Sequence, residues 1–229
     1  MYKLFINFYL KGINVNHFSK LVLMLCSILF STASIAGLPI NNLPDAQRLA
    51  VYLSSINNLE ANYVQHTHDG NNDLLQTQKG KMFLTRPNKF KWISEAPYEQ
   101  VLVSNGETLW QYDPDLEQVT VQKLDGRLSS TPVLLLSGDA EMVSEEYEVY
   151  GETIQDEQHF VLIPKRNDAL FDRLRLEFNS AKQMFRMVIK DEIGQKTVIN
   201  LSNQKTIIGI AENFYEFVIP EGIDVIESQ

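Results

Sequence analysis

Arg86 is the side chain in this sequence with the clearest chemical use. It opens the run Arg86-Pro87-Asn88-Lys89-Phe90-Lys91-Trp92, which joins two apolar, β-favouring stretches. A guanidinium is a planar, permanently charged fork of donors. At a proline corner beside two aromatic rings, it can bond to something that moves. If residues 89–93 form a strand, Phe90 and Trp92 share one face, with Lys89 and Lys91 on the other. The rings then read as the wall of an apolar interior, and Arg86 as its rim. Leu102, Leu109 and Trp110 are further apolar candidates. Taken singly, each also fits an ordinary core position.

Other reactive groups are few. His66 and His68 lie two apart, so on a strand they share a face and could bind a metal with a third ligand. One such pair without cysteine is a weak signal, and an exposed strand face before a turn is the plainer reading. Asp113, Asp115 and Glu117 lack the loop length and ligand order of a calcium site, and read as a solvated acidic turn. There is no G-x-S-x-G, H-E-x-x-H, P-loop or G-x-G-x-x-G. The sequence therefore nominates no catalytic residue, no metal and no cofactor.

The chain has 229 residues and a formal net charge of −9. Residues 1–20 hold Lys3, Lys11 and Lys20 and no acid; Leu21 to Phe30 is apolar; Ser34 and Ala36 are small residues before Gly37. This is the order of a secretory signal peptide, with a cut expected after Ala36. Cys26 follows Leu23-Met24-Leu25 rather than small residues, so it reads as filler and not as a lipidation site. Residues 37–229 are then a single domain without cysteine. Loss of the three lysines takes its charge to −12. Such acidity argues against nucleic acid and anionic headgroups, though not against an uncharged acyl chain.

What must position Arg86 is mostly sheet. Asp45 opens an amphipathic helix with Leu49, Tyr52, Leu53 and Ile56 at helical spacing and Arg48 elsewhere round the wheel. Residues 59–124 read as six short strands with tight turns, Asn105-Gly106 the strongest hairpin signal, Asp125-Gly126 the last turn, and Gly80 a bulge. Thr131-Pro132 starts a helical segment by a cap and a first-turn proline. The cluster Val133 to Leu136 has no clean face, so it is either buried on all sides or covers an apolar cavity. Strands resume from Glu148 to Asn203. Phe214 to Ile219 and Ile223 to Ile226 are apolar runs at the end. This predicts a mainly β domain of about 11–12 strands, which must curl or close to protect its edges. A wide barrel-like sheet encloses a ligand cavity.

The order of these motifs resembles the LolA family, periplasmic carriers of outer-membrane lipoproteins. The matching stretches are Arg86 to Trp92, Leu102 to Tyr112, Glu117-Gln118, Thr131-Pro132 and Phe217 to Val225, with Asn62 to Gln65 and the first helix also fitting. The resemblance implies an incomplete, strongly curved antiparallel β-barrel with a helical lid over an apolar cavity. It puts Phe90, Trp92, Leu102, Leu109, Leu134 and Leu135 at the acyl cavity. It makes Arg86 a latch that holds the ligand-free lid closed, with the lid contact near Leu136 and Ser137. The implied partners are acylated lipoproteins, an inner-membrane ATP-driven lipoprotein-releasing transporter and an outer-membrane acceptor similar to LolB, the carrier itself acting as a periplasmic monomer. Asp113 to Leu116 is more acidic than in some relatives. Two other readings stay open: a lipid- or lipoprotein-sensing regulator of the same fold, which would usually add a second domain, and a lipid-acting enzyme, for which no nucleophile and base present themselves.

Overall fold

A computed structural model describes residues 40–124, 132–138, 140–166, 169 and 171–228. The expected signal segment 1–36 with Cys26 and Ala36, the Asp125-Gly126 turn and the Thr131 cap lie outside the described residues.

Among the described residues twelve strands form one sheet. They are β1 (Leu59–His68), β2 (Leu74–Thr85), β3 (Lys89–Ser94), β4 (Gln100–Asn105), β5 (Thr108–Asp113) and β6 (Gln118–Lys123), then β7 (Tyr147–Ile154), β8 (Glu157–Pro164), β9 (Arg173–Phe178), β10 (Met184–Lys190), β11 (Lys196–Thr206) and β12 (Asp224–Ser228). Their spatial order is β12-β6-β5-β4-β3-β2-β1-β11-β10-β9-β8-β7. Every neighbouring pair is antiparallel except β12, which runs parallel to β6. The first six strands form a meander because each is followed by turn chemistry. At Asn105-Gly106 the glycine takes φ +101°, where a side chain would be strained. The register closes β1 onto β11, so β7 and β12 are the sheet's edges.

Gly80 departs from the expected bulge. It sits in unbroken register between Tyr63 on β1 and Ser94 on β3; the irregularities fall at Glu60/Asn62 and Thr67/His68. A Cβ at Gly80 would collide with the Ile93 carbonyl and come within 3.0 Å of the Tyr63 ring. Glycine is there for close approach, not for a kink.

Helix α1 (Asp45–Ser55) lays Leu49, Tyr52, Leu53 and the following Ile56 on the sheet. The Tyr52 ring meets Phe178 at 5.1 Å and Phe160 at 5.6 Å. Arg48, expected off the packing face, is buried. Its guanidinium lies 5.4 Å over Phe160 and pairs with Asp45 at 2.8 Å. Asp45 also accepts the Gly151 N–H of edge strand β7 at 2.8 Å. A methyl at Gly151 would run into that guanidinium and reach 3.0 Å from the Phe160 ring. Gly151→Ala is therefore expected to cost about 1–3 kcal/mol, the usual range for overpacking. Urea denaturation reads this directly, and an unchanged midpoint would contradict the docking described.

The lid region comprises α2 (Pro132–Ser137), a 3₁₀ turn (Ala140–Met142) and α3 (Val143–Glu146). Of the two readings open for its apolar run, Leu134, Leu135 and Leu136 are all fully buried, at 2%, 0% and 0% exposure. None of the described helices is long and apolar enough to cross a membrane.

Phe214 to Ile219 is not a strand. It is a turn and an extended segment lying across the opposite face from Phe90. Phe214 packs edge-on against Phe83 at 5.1 Å and lies under the Lys91 ammonium at 5.2 Å. The Tyr215 hydroxyl bonds to Thr85 at 2.8 Å, and Phe217 meets Tyr112 at 5.6 Å. The rings of this apolar run pack on the sheet without ladder pairing. On the same outward face Glu177 is only 4% exposed. Arg175 at 3.4 Å, Arg186 at 3.8 Å and His159 at 3.9 Å surround its carboxylate, as a buried charge requires.

Candidate functional site

The corner between β2 and β3 places Arg86, Pro87 and Asn88 beside the end of α2. The Arg86–Pro87 peptide bond is cis, and Asn88 is left-handed at φ +57°. The Arg86 Nη1 donates to the Gly138 carbonyl, and its Nε donates to the Ile56 carbonyl at 3.0 Å. The Asn88 N–H donates to the Ser137 carbonyl at 2.7 Å. One corner thus ties together the ends of α1 and α2. Carbonyls at helix ends have no partner inside the helix, so they are free to accept such bonds.

Below the corner, Phe90, Leu109 and Leu134 form a closed cluster at 0%, 6% and 2% exposure. Trp92, Leu102 and Leu124 pack against it. Trp92 also packs on the larger core, which holds Leu135 and Leu136 together with α1 and strands β8–β11. The Trp92 ring lies 4.3 Å from Tyr63, whose hydroxyl bonds to Ser94 at 2.7 Å. Burial raises the Tyr63 pKa above its ordinary value, partly offset by the Ser94 bond, so this hydroxyl stays neutral well into the alkaline range. The structure therefore gathers five of the six residues expected at the acyl cavity round one cluster, puts Leu135 in the adjoining core, and leaves Trp110 in register with Val103 and Lys91 on the face opposite Phe90.

At the expected latch, Arg86 bonds to the carbonyl of Gly138, the residue after Ser137. Ser137 takes part through its carbonyl, and Leu136 is buried in the main core. On the outer face, the His66 and His68 rings lie 6.5 Å apart, with His66 bonded to Thr77 at 3.0 Å. Among the described residues no group of three His, Cys, Asp or Glu side chains could hold a metal. The Asp113 carboxylate accepts the N–H groups of Asp115 and Leu116, a turn closed on itself.

Residues 54–218 match the family described as outer membrane lipoprotein carrier protein LolA. The chain belongs to the LolA family. Two relatives are outer-membrane lipoprotein carrier proteins: one from Pseudomonas paraeruginosa is 45% identical over 181 residues, covering 79% of this chain and 86% of that protein. One from Chromohalobacter salexigens is 43% identical with the same coverage, 79% and 86%. A solved structure of an uncharacterized conserved protein from Thermus thermophilus is similar in fold, with a TM-score of 0.50 at 11% identity, covering 81% of this chain and 100% of that one. The LolA family is a periplasmic family of carriers rather than enzymes.

Within this LolA family chain, sequence reasoning missed four participants. The Ile56 and Gly138 carbonyls are main-chain acceptors, which residue types do not announce. The Asn88 N–H is a main-chain donor, although Pro87-Asn88 is a legible turn and asparagine tolerates the left-handed region. Ser104, fully buried, donates to the Asn88 carbonyl at 2.7 Å, and its only signal was a polar residue in an apolar strand.

Proposed function

We propose that this chain is a periplasmic chaperone for lipoproteins. It takes them as an inner-membrane ATP-driven transporter releases them, covers their acyl chains, and hands them to an outer-membrane acceptor similar to LolB. The signal segment ends at Ala36, and residues 37–229 are the working single-domain carrier, acting as a monomer. Phe90, Trp92, Leu102, Leu109, Leu134 and Leu135 receive the acyl chains, and Arg86 with Leu136 and Ser137 closes the lid. The observation that carries this reading is the tie from the Arg86 corner to the end of α2, directly over the Phe90–Leu109–Leu134 cluster.

Magnitudes explain why a lid is useful. An acyl chain of roughly fifteen methylenes costs on the order of 10 kcal/mol to expose to water, at ~0.8 kcal/mol each. A carrier must cover that surface and still release it. In the closed form the lining side chains satisfy one another and the guanidinium bonds carbonyls. Loading breaks those contacts, so the net affinity falls below the full burial energy. An acceptor that binds only modestly tighter then wins, since ~1.4 kcal/mol is tenfold.

Mass spectrometry of whatever co-purifies with the protein from periplasm tests the reading. Bound acylated lipoproteins are the expected result. Free phospholipid alone, or nothing, would overturn it.

A further inference from the structure

We infer that the lid has a second, main-chain latch at Asn88, and that Ser104 is the residue that positions it. This deepens the carrier reading above and rests on it. Two successive carbonyls at the end of α2 are taken by one corner: Gly138 by the Arg86 guanidinium and Ser137 by the Asn88 N–H, the latter at 2.7 Å. Asn88 itself is left-handed, at φ +57°, a conformation asparagine tolerates.

Something must hold the residue there, and Ser104 does so from β4. Its Oγ donates to the Asn88 carbonyl at 2.7 Å and accepts the Gly106 N–H at 3.1 Å. The side chain is 0% exposed and sits opposite Phe90 in the ladder. One hydroxyl thus joins the β4–β5 hairpin to the latch corner, with its donor and an acceptor position both used. The lid is therefore registered against the middle of the sheet as well as against a long, flexible arginine. Removing Arg86's guanidinium leaves this tie in place, so the Arg86→Leu lid opens further when Ser104 is also changed.

The test is amide hydrogen exchange of the full chain, read residue by residue, with lipoprotein transfer measured in parallel. Ser104→Ala should speed exchange of the Asn88 amide about tenfold, the change in opening that one ordinary hydrogen bond carries. Amides of β8 to β10 should exchange as in the wild type, which separates a loosened latch from a loosened fold. Ser104→Thr, which keeps the hydroxyl, should restore protection. The Arg86→Leu/Ser104→Ala chain should retain lipoprotein longer than Arg86→Leu alone. Asn88→Ala gives a second route at a turn position outside the core, with faster exchange of the residue 88 amide expected. An unchanged residue 88 rate in Ser104→Ala overturns the positioning role, and an unchanged rate in Asn88→Ala overturns the latch. Failure to bind any lipoprotein, with exchange still responding, would overturn the carrier reading and leave the latch standing.

Discussion

Arg86→Leu is expected to slow delivery of lipoprotein to an acceptor by about one to two orders of magnitude. The guanidinium donates to the Gly138 and Ile56 carbonyls, joining the ends of α2 and α1. Hydrogen bonds to a charged donor contribute about 1.5–3 kcal/mol each. Leucine can make neither, and when the lid opens the carbonyls find water instead. Of the two bonds only the one to Gly138 reaches α2, so the net loss for the closed state is about 1.5–3 kcal/mol, a roughly tenfold to hundredfold shift toward open. A cargo that binds only the open state gains apparent affinity by up to the same factor. The variant should therefore load readily and release poorly. Transfer from loaded carrier to acceptor, followed in time, checks this; a wild-type rate would contradict the latch.

Phe90→Ala should have the largest effect on stability, about 3–5 kcal/mol. Phe90 is fully buried, and its partners come from β5 at Leu109 and from the lid at Leu134. Truncation leaves a hole that β4 cannot fill, because the residue opposite is the small, hydrogen-bonded Ser104. The lid loses its main apolar contact with β3 at the same time. Urea denaturation should show a large drop in midpoint, and loaded lipoprotein should dissociate faster. A loss below about 1 kcal/mol would mean that the cluster relaxes and is not the packed floor described.

Much of the fold was legible because its signals are local. Alternation set the faces of β3, and turn residues at Asn105-Gly106 marked the meander. The first helix showed its buried stripe at Leu49, Tyr52, Leu53 and Ile56. What was not legible depended on neighbours distant in sequence. Arg48 looked like a solvent-facing residue until Phe160 and Asp45 closed round it. Gly80 looked like a bulge because the approach of Ile93 is a tertiary fact. Phe214 to Ile219 has strand composition, yet its rings are used against Phe83 and Tyr112. At the latch, Arg86 stood out by type, while its acceptors and the Asn88 donor are main-chain atoms common to every residue.

Acyl chains are expected to enter the face carrying Phe90 and Trp92, beneath the lid. Site-specific photo-crosslinking tests it at two adjacent positions, each replaced by a photoreactive aromatic residue in carrier loaded with a triacylated lipoprotein. Position 92 lies on the cluster side and position 91 on the opposite face against Phe214. Crosslinks to the acyl chains from position 92 and none from position 91 are predicted. Equal labelling from both, or labelling from position 91 alone, would place the acyl chains elsewhere.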